Sequence, residues 1–210
     1  MRSNSLPASI SQQNFRKGKF KIVPAKAVLL VIDMQRYFLE KGSHAYLKHG
    51  EAAIGNVNRL MTGFRAAGAM VVHTRHMHSK GHDPGMLGKW WSDLMTEGDA
   101  LIELDPRLDR ADADTVVRKD RYDAFLGTDL DGILKARGIT QVVITGVMTD
   151  LCCETTARCA FCRDYEVFII QDATGTTTRA LHNAALSTLA HGFAVILSTK
   201  EALKQVGVKA

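Results

Sequence analysis

Three residues in this 210-residue chain are of types suited to covalent hydrolysis: an aspartate closing AVLLVID (Asp33), a lysine closing DTVVRK (Lys119) and a cysteine within GVMTDLCCETTARCAF (Cys152). A thiol becomes a nucleophile when a base removes its proton, and a carboxylate serves as that base and later returns the proton to a leaving amine. A nearby ammonium favours the thiolate, as do the free N–H groups of a helix's first turn, so Cys152 is expected to carry a depressed pKa. The adjacent Cys153 projects about 100° away on a helix, so the two thiols cannot both aim into one pocket. Each residue alone has an ordinary alternative. Asp33 suits a helix cap, Lys119 lies in the charged run RKDR, and a helical cysteine is commonly a small buried hydrophobe.

The elements that must position them follow from the pattern around them. From residue 27 onward, short apolar β-branched runs alternate with longer stretches of helical period, the mark of repeated βαβ units. Strands are expected at AVLLVI (27–32), AMVVHT, DTVVRK, ITQVVITG, EVFIIQ and FAVILS, with helices between them. The first run lacks polar alternation, so both of its faces are covered. The expected fold is α/β: a three-layer αβα sandwich around a six-stranded, mainly parallel sheet in the Rossmann-like order 3-2-1-4-5-6. In that order strands 1 and 4 flank the crevice where the topology switches, which sets Asp33 opposite Cys152. The stretch from His76 to Asp114 breaks the rhythm with Gly81, Pro84, Gly85, Gly88, Trp90 and Trp91, and reads as a functional loop or lid.

Composition narrows the function classes. The net charge is +5, but residues 1–26 hold Arg2, Arg16, Lys17, Lys19, Lys21 and Lys26 and no acid, which leaves the remainder near −1. A basic nucleic-acid face on the body is therefore not expected. Residues 1–25 read as a flexible basic arm, or alternatively as an organelle transit peptide, and 26–210 as a single domain. No apolar run has the length of a membrane span. The four cysteines, Cys152, Cys153, Cys159 and Cys162, crowd into eleven residues, which suits a reducing compartment, so a cytoplasmic location is expected.

VLLVIDMQRYF, RKDRYDAFLGTDLDGILKARGI and GVMTDLCCETTARCAF together resemble the isochorismatase-like cysteine hydrolases, over roughly residues 26–200. The third stretch follows that family's pattern G-V-x-T-x-x-C-V-x-x-T-A. The resemblance implies that Asp33, Lys119 and Cys152 form a catalytic triad, with Cys153 in the place of an aliphatic residue. It further implies a cis peptide between Val147 and Met148, so that the N–H groups of Met148 and Cys152 form an oxyanion hole. It also implies a homo-oligomer, dimeric or tetrameric, acting on a small molecule.

The expected reaction is cleavage of an amide C–N bond through a thioester, with no cofactor. Gln35, Phe38, Trp90, Trp91, Tyr122 and Phe125 are the expected pocket lining. Two alternatives stand beside this: an isochorismatase-type vinyl ether hydrolysis without a covalent intermediate, and a catalytically idle binding member of the fold. Cys159 and Cys162 form C-A-F-C, too late in the helix for a redox pair, and are expected to pack. Nicotinamidases of the resembled family bind a metal through an Asp-x-His pair plus a further histidine. Here His76 holds the place of that aspartate, so no metal is expected, and His76, His78 and His82 are read as polar loop residues.

Overall fold

The six apolar runs become strands β1 Ala27–Ile32, β2 Met70–His76, β3 Thr115–Lys119, β4 Gln141–Val147, β5 Glu166–Gly175 and β6 Val195–Leu197. The structure, a computed structural model, describes Ile10, Asn14, residues 17–91 and residues 93–208. All strand pairs are parallel, in the order β3-β2-β1-β4-β5-β6. Every residue of β1 and β4 is buried. The pleat sends Ala27, Leu29 and Val31 into one core and Val28, Leu30 and Ile32 into the core on the opposite face. Each buried valine, leucine or isoleucine here contributes about 1.5–3 kcal/mol on burial.

The covering helices are α1 Arg36–Leu39, α2 Lys48–Ala66, α3 Met86–Trp90, α4 Leu130–Ala136, α5 Glu154–Phe161, α6 Arg179–Gly192 and α7 Thr199–Gln205. Apolar residues of α2 recur at helical spacing (Val57, Leu60, Met61, Phe64) and fill one core together with Ala202 and Leu203 of α7. On the other face Ala157 and Ala160 of α5 meet Leu186 and Leu189 of α6. Gly68 closes α2 in the left-handed conformation at φ 74°. The Thr178 hydroxyl accepts the Leu181 N–H at the start of α6, and a Ser198–Glu201 capping box opens α7.

Three differences from the sequence reading bear on the site. β2 runs two residues beyond AMVVHT, to His76. The segment after β4 begins as a π-turn, Thr149–Cys153, and becomes α-helical only at Glu154. The loop from His76 to Asp114 is largely irregular but holds α3 and a 3₁₀ turn at Ala100–Ile102.

Where the N-terminal arm is described it is docked and not free. Ile10 is buried, Asn14 exchanges two hydrogen bonds with the backbone of Ile196, and Lys17 pairs with Glu201. Asn14 satisfies both backbone groups of an edge-strand residue, which accounts for the docking. The rest of residues 1–16, on which the flexible-arm and transit-peptide readings also fall, lies outside the described residues.

Candidate active site

Asp33 follows the last residue of β1 in the left-handed conformation, φ 47°, and is fully buried. Thr74, on the neighbouring strand β2, clamps it twice. The Thr74 hydroxyl accepts the Asp33 N–H at 3.0 Å and donates to Asp33 Oδ1 at 2.6 Å, leaving Oδ2 for other partners. Gly146 makes the approach of β4 to this point possible: it pairs with Ile32 at φ 107°, and a Cβ there would overlap the Ile32 carbonyl oxygen.

Lys119 is the last residue of β3, two strands away, and its side chain spans that distance entirely out of solvent. Its Nζ reaches Asp33 Oδ2 at 2.7 Å, the Arg121 carbonyl at 2.9 Å, His76 Nδ1 at 3.1 Å and Cys152 Sγ at 3.4 Å. A buried charge persists only when paired in this way. Burial disfavours the Lys119 ammonium, but Asp33 and Cys152 outweigh it and hold the pKa above the ordinary value.

Cys152 lies in the π-turn, almost wholly buried. Burial pushes its thiol up to about 12 against the pull of Lys119, and Asp33 adds to the rise. The depressed pKa expected from a helix start and a cation is therefore corrected. The cysteine precedes the α-helix proper, and desolvation exceeds the ammonium's effect. The Cys152 sulfur thus lies beside the Asp33–Lys119 pair, 3.4 Å from the Lys119 Nζ. Cys153 is fully buried in the core, its sulfur 3.9 Å from the Thr145 carbonyl, and burial pushes its pKa up as well.

Cys152 opens onto a cavity of about 350 Å³, roughly a dozen waters at ~30 Å³ each. Of the expected lining residues, Phe38, Trp91 and Tyr122 face this cavity. Trp91 Nε1 donates to the Tyr122 hydroxyl at 2.6 Å, making a wall shared with a second groove. Trp90 is 74% exposed and lines only that second groove. Gln35 is fully buried, and its amide is used on backbone: Nε2 donates to the carbonyls of His76 and Ile102, and Oε1 accepts the His76 N–H. It braces the loop instead of lining the cavity, because a buried amide satisfied on three sides has no free face toward a ligand. Phe125 stacks on Tyr165 within the core, centroids 5.8 Å apart, and does not reach the cavity. The peptide between Val147 and Met148 is cis, and Met148 also lines the cavity.

Sequence reasoning missed Thr74 and the role of His76. His76 stands at a strand end like Asp33 and Lys119; ending β2 at Thr74 hid that signal. Nothing in the sequence marks Thr74. The His76 ring is buried and held near 3 by burial and by Lys119, so it is neutral and accepts from the ammonium. His76 Nε2 meets His78 Nε2 at 3.3 Å, while His82 is exposed and pairs with Asp120. Thr156 accepts the Ala124 N–H and donates to the Tyr122 carbonyl, fixing the segment that carries Tyr122. Cys159 is half-buried and Cys162 exposed, both as free thiols.

Asp33, His76 and Cys152 bring a carboxylate oxygen, a ring nitrogen and a sulfur within 4.8 Å of one another, a donor set of the kind that ligates divalent ions. The Lys119 ammonium bonds all three, so a second cation among them would meet a fixed positive charge at contact distance. This donor set does not fit a metal.

An isochorismatase domain family model matches residues 27–201. Nicotinamidase 3 of Arabidopsis thaliana is 38% identical over 195 residues, covering 90% of this chain and 93% of that protein. Among solved structures, a cysteine hydrolase from Pseudomonas syringae pv. phaseolicola matches with a TM-score of 0.86 at 25% identity, covering 99% of each chain. The N-carbamoylsarcosine amidase of Thermoplasma acidophilum matches with a TM-score of 0.73 at 26% identity, covering 84% of this chain and 98% of that one.

Proposed function

Because the chain belongs to the isochorismatase family, we propose that it is a hydrolase that cleaves the amide C–N bond of a small molecule through a thioester on Cys152. The observation that carries this reading is Lys119 Nζ in contact with Asp33 and Cys152 at once. Two relatives named as amide hydrolases support it.

Asp33 removes the proton from Cys152 as the sulfur attacks the carbonyl carbon. Transfer at the moment of attack suits a thiol raised by burial, because no free thiolate is required beforehand. The oxyanion is received by the N–H groups of Met148 and Cys152. Asp33 then gives its proton to the nitrogen, the C–N bond breaks, and ammonia or an amine leaves. Water enters and attacks the thioester, losing its proton to Asp33. The C–S bond breaks, the acid departs and the proton returns to sulfur. Throughout, Lys119 holds Asp33 in place and offsets the negative charge that moves between oxygen and sulfur. Phe38, Trp91 and Tyr122 hold the substrate body. Gln35 and Phe125 keep the surrounding segments in place, and Trp90 borders the outer groove.

The same proposal assigns one hydrolase domain to residues 26–210, no metal or organic cofactor, no nucleic-acid or membrane partner, a dimer or tetramer, and a cytoplasmic setting suited to four free thiols. Among the described residues no helix is long and apolar enough to cross a membrane.

A panel of small primary amides, nicotinamide included, tests the reading by ammonia release, with the Cys152 peptide examined by mass spectrometry for an acyl adduct after acid quench. Ammonia release that disappears in Cys152→Ala, with an adduct on Cys152, is the expected result. Turnover that survives Cys152→Ala, or consumption of a vinyl ether with no amide cleaved, would overturn it in favour of ether hydrolysis. No turnover of either class would favour an idle binding protein.

A further inference from the structure

The cavity beside Cys152 is lined mostly by apolar and aromatic groups, among them Phe38, Leu47, Leu87, Trp91 and Leu94. Its polar groups are unevenly placed. His76 and Cys152 form part of the catalytic floor, while Tyr37, His44 and Asp93 form a separate cluster on the same cavity. The Tyr37 hydroxyl donates to Asp93 Oδ2 at 3.1 Å and lies 3.0 Å from His44 Nε2, which itself contacts Asp93 Oδ2. Burial and Asp93 push the Tyr37 pKa up, keeping its hydroxyl a donor. Both of these contacts fall on Asp93 Oδ2, and the carboxylate side chain is 51% exposed.

Among the described residues no lysine or arginine faces the cavity, and its basic side chains are His44 and His76. Lys119 is fully engaged beneath the floor. The guanidinium of Arg121 borders the second groove, beyond the Trp91–Tyr122 wall, where it bonds the carbonyls of Asp120 and Asp83 and pairs with the Asp120 carboxylate. A substrate carboxylate entering here would find no lysine or arginine and would meet the Asp93 carboxylate, an arrangement that disfavours it.

Resting on the amide-hydrolase reading, we infer that Tyr37, His44 and Asp93 form a subsite for a hydrogen-bond-donating, positively charged end of the substrate. The enzyme thereby selects amides bearing an amine over amides bearing a carboxylate. Asp93 accepts from the amine, His44 and Tyr37 hold Asp93 in position, and the apolar walls take the ring or chain between amine and amide. A hydrogen bond to a charged group of this kind corresponds to a preference of about tenfold to hundredfold.

Three ring amides that differ only at the end remote from the amide test this: hydrogen, aminomethyl or carboxylate. Values of kcat/KM for ammonia release are measured on the wild type, Asp93→Asn and Asp93→Glu, and Kd for the same three compounds is measured by calorimetry on Cys152→Ala. The aminomethyl amide is expected to exceed the carboxylate amide by about a hundredfold or more in kcat/KM and to rank first in Kd. Asp93→Asn is expected to lower the aminomethyl-to-hydrogen ratio about tenfold, and Asp93→Glu to restore most of it. Equal values across the three, a preference for the carboxylate, or a ratio untouched by Asp93→Asn overturns the inference. If none of the amides is hydrolysed, the amide reading itself fails, and the order of Kd on Cys152→Ala still decides the subsite.

Discussion

Lys119 Nζ stands 2.7 Å from Asp33 Oδ2 with both side chains sealed from solvent. Removing either charge strands the other in the core, and an uncompensated buried charge costs about 3–5 kcal/mol. Lys119→Met, close in volume, is therefore expected to lose activity and that much stability in urea unfolding. The double variant Lys119→Met/Asp33→Asn recovers stability and stays inactive. A single variant as stable as wild type would show that the pair is not the buried ion pair described.

The raised Cys152 thiol predicts how alkylation responds to pH. With burial setting its pKa near 12, the iodoacetamide rate at Cys152 should climb about tenfold per pH unit from 7 to 9 with no plateau. Peptide mapping separates it from exposed Cys162. A plateau below pH 8 would mean that Lys119 overcomes desolvation and stores a thiolate.

Two histidines, buried His76 and half-buried His182, make folding acid-sensitive. His76 is lowered to about 3, by burial and then Lys119, and His182 to about 4, by burial and then Arg179, both from 6.5. Between those values the unfolded chain binds the extra protons. Their contribution is therefore complete above about pH 6.5 and is lost as pH falls toward 4, by at most about 1.4 kcal/mol per pH unit per histidine. Urea midpoints at pH 7.5, 6 and 5 should fall in that order, with a shallower fall in His182→Asn. Identical slopes in the two proteins would remove His182 from the account.

Gly146 controls how closely β4 and β1 approach. Gly146→Ala must strain a positive φ and displace the Ile32 backbone. The expected loss is on the order of 3 kcal/mol or more, with turnover falling even in the fraction that folds, because Asp33 directly follows Ile32. Differential scanning calorimetry and kcat measure the two effects; a variant with wild-type Tm would locate the close approach elsewhere.

The sheet was legible because its central strands are apolar without alternation, a pattern that only two-sided cover explains. The convergence of Asp33, Lys119 and Cys152 was legible because each ends a strand or lies in the segment that follows one. Thr74, Gln35 and Phe125 were not, since no local pattern distinguishes a clamp, a brace or a core ring from a pocket wall; those roles are set by the residues that face them from other parts of the chain. The thiol's pKa was misread for the same reason: its burial comes from packing, while the cation and helix start are visible in sequence. The capping box at Ser198–Glu201 was visible in the sequence, but α7 was overlooked.

His76 and Lys119 end β2 and β3, while Asp33 and Cys152 follow β1 and β4, four neighbouring strands whose order in space is not their order in the chain. No contiguous half of the polypeptide contains the site, so its formation requires long loop closures that are slow relative to local helix formation. During refolding, helical signal should therefore return well ahead of catalytic activity. Turnover in this protein reports completion of the sheet, and a chain arrested with native helices and an unfinished β3 edge would be silent.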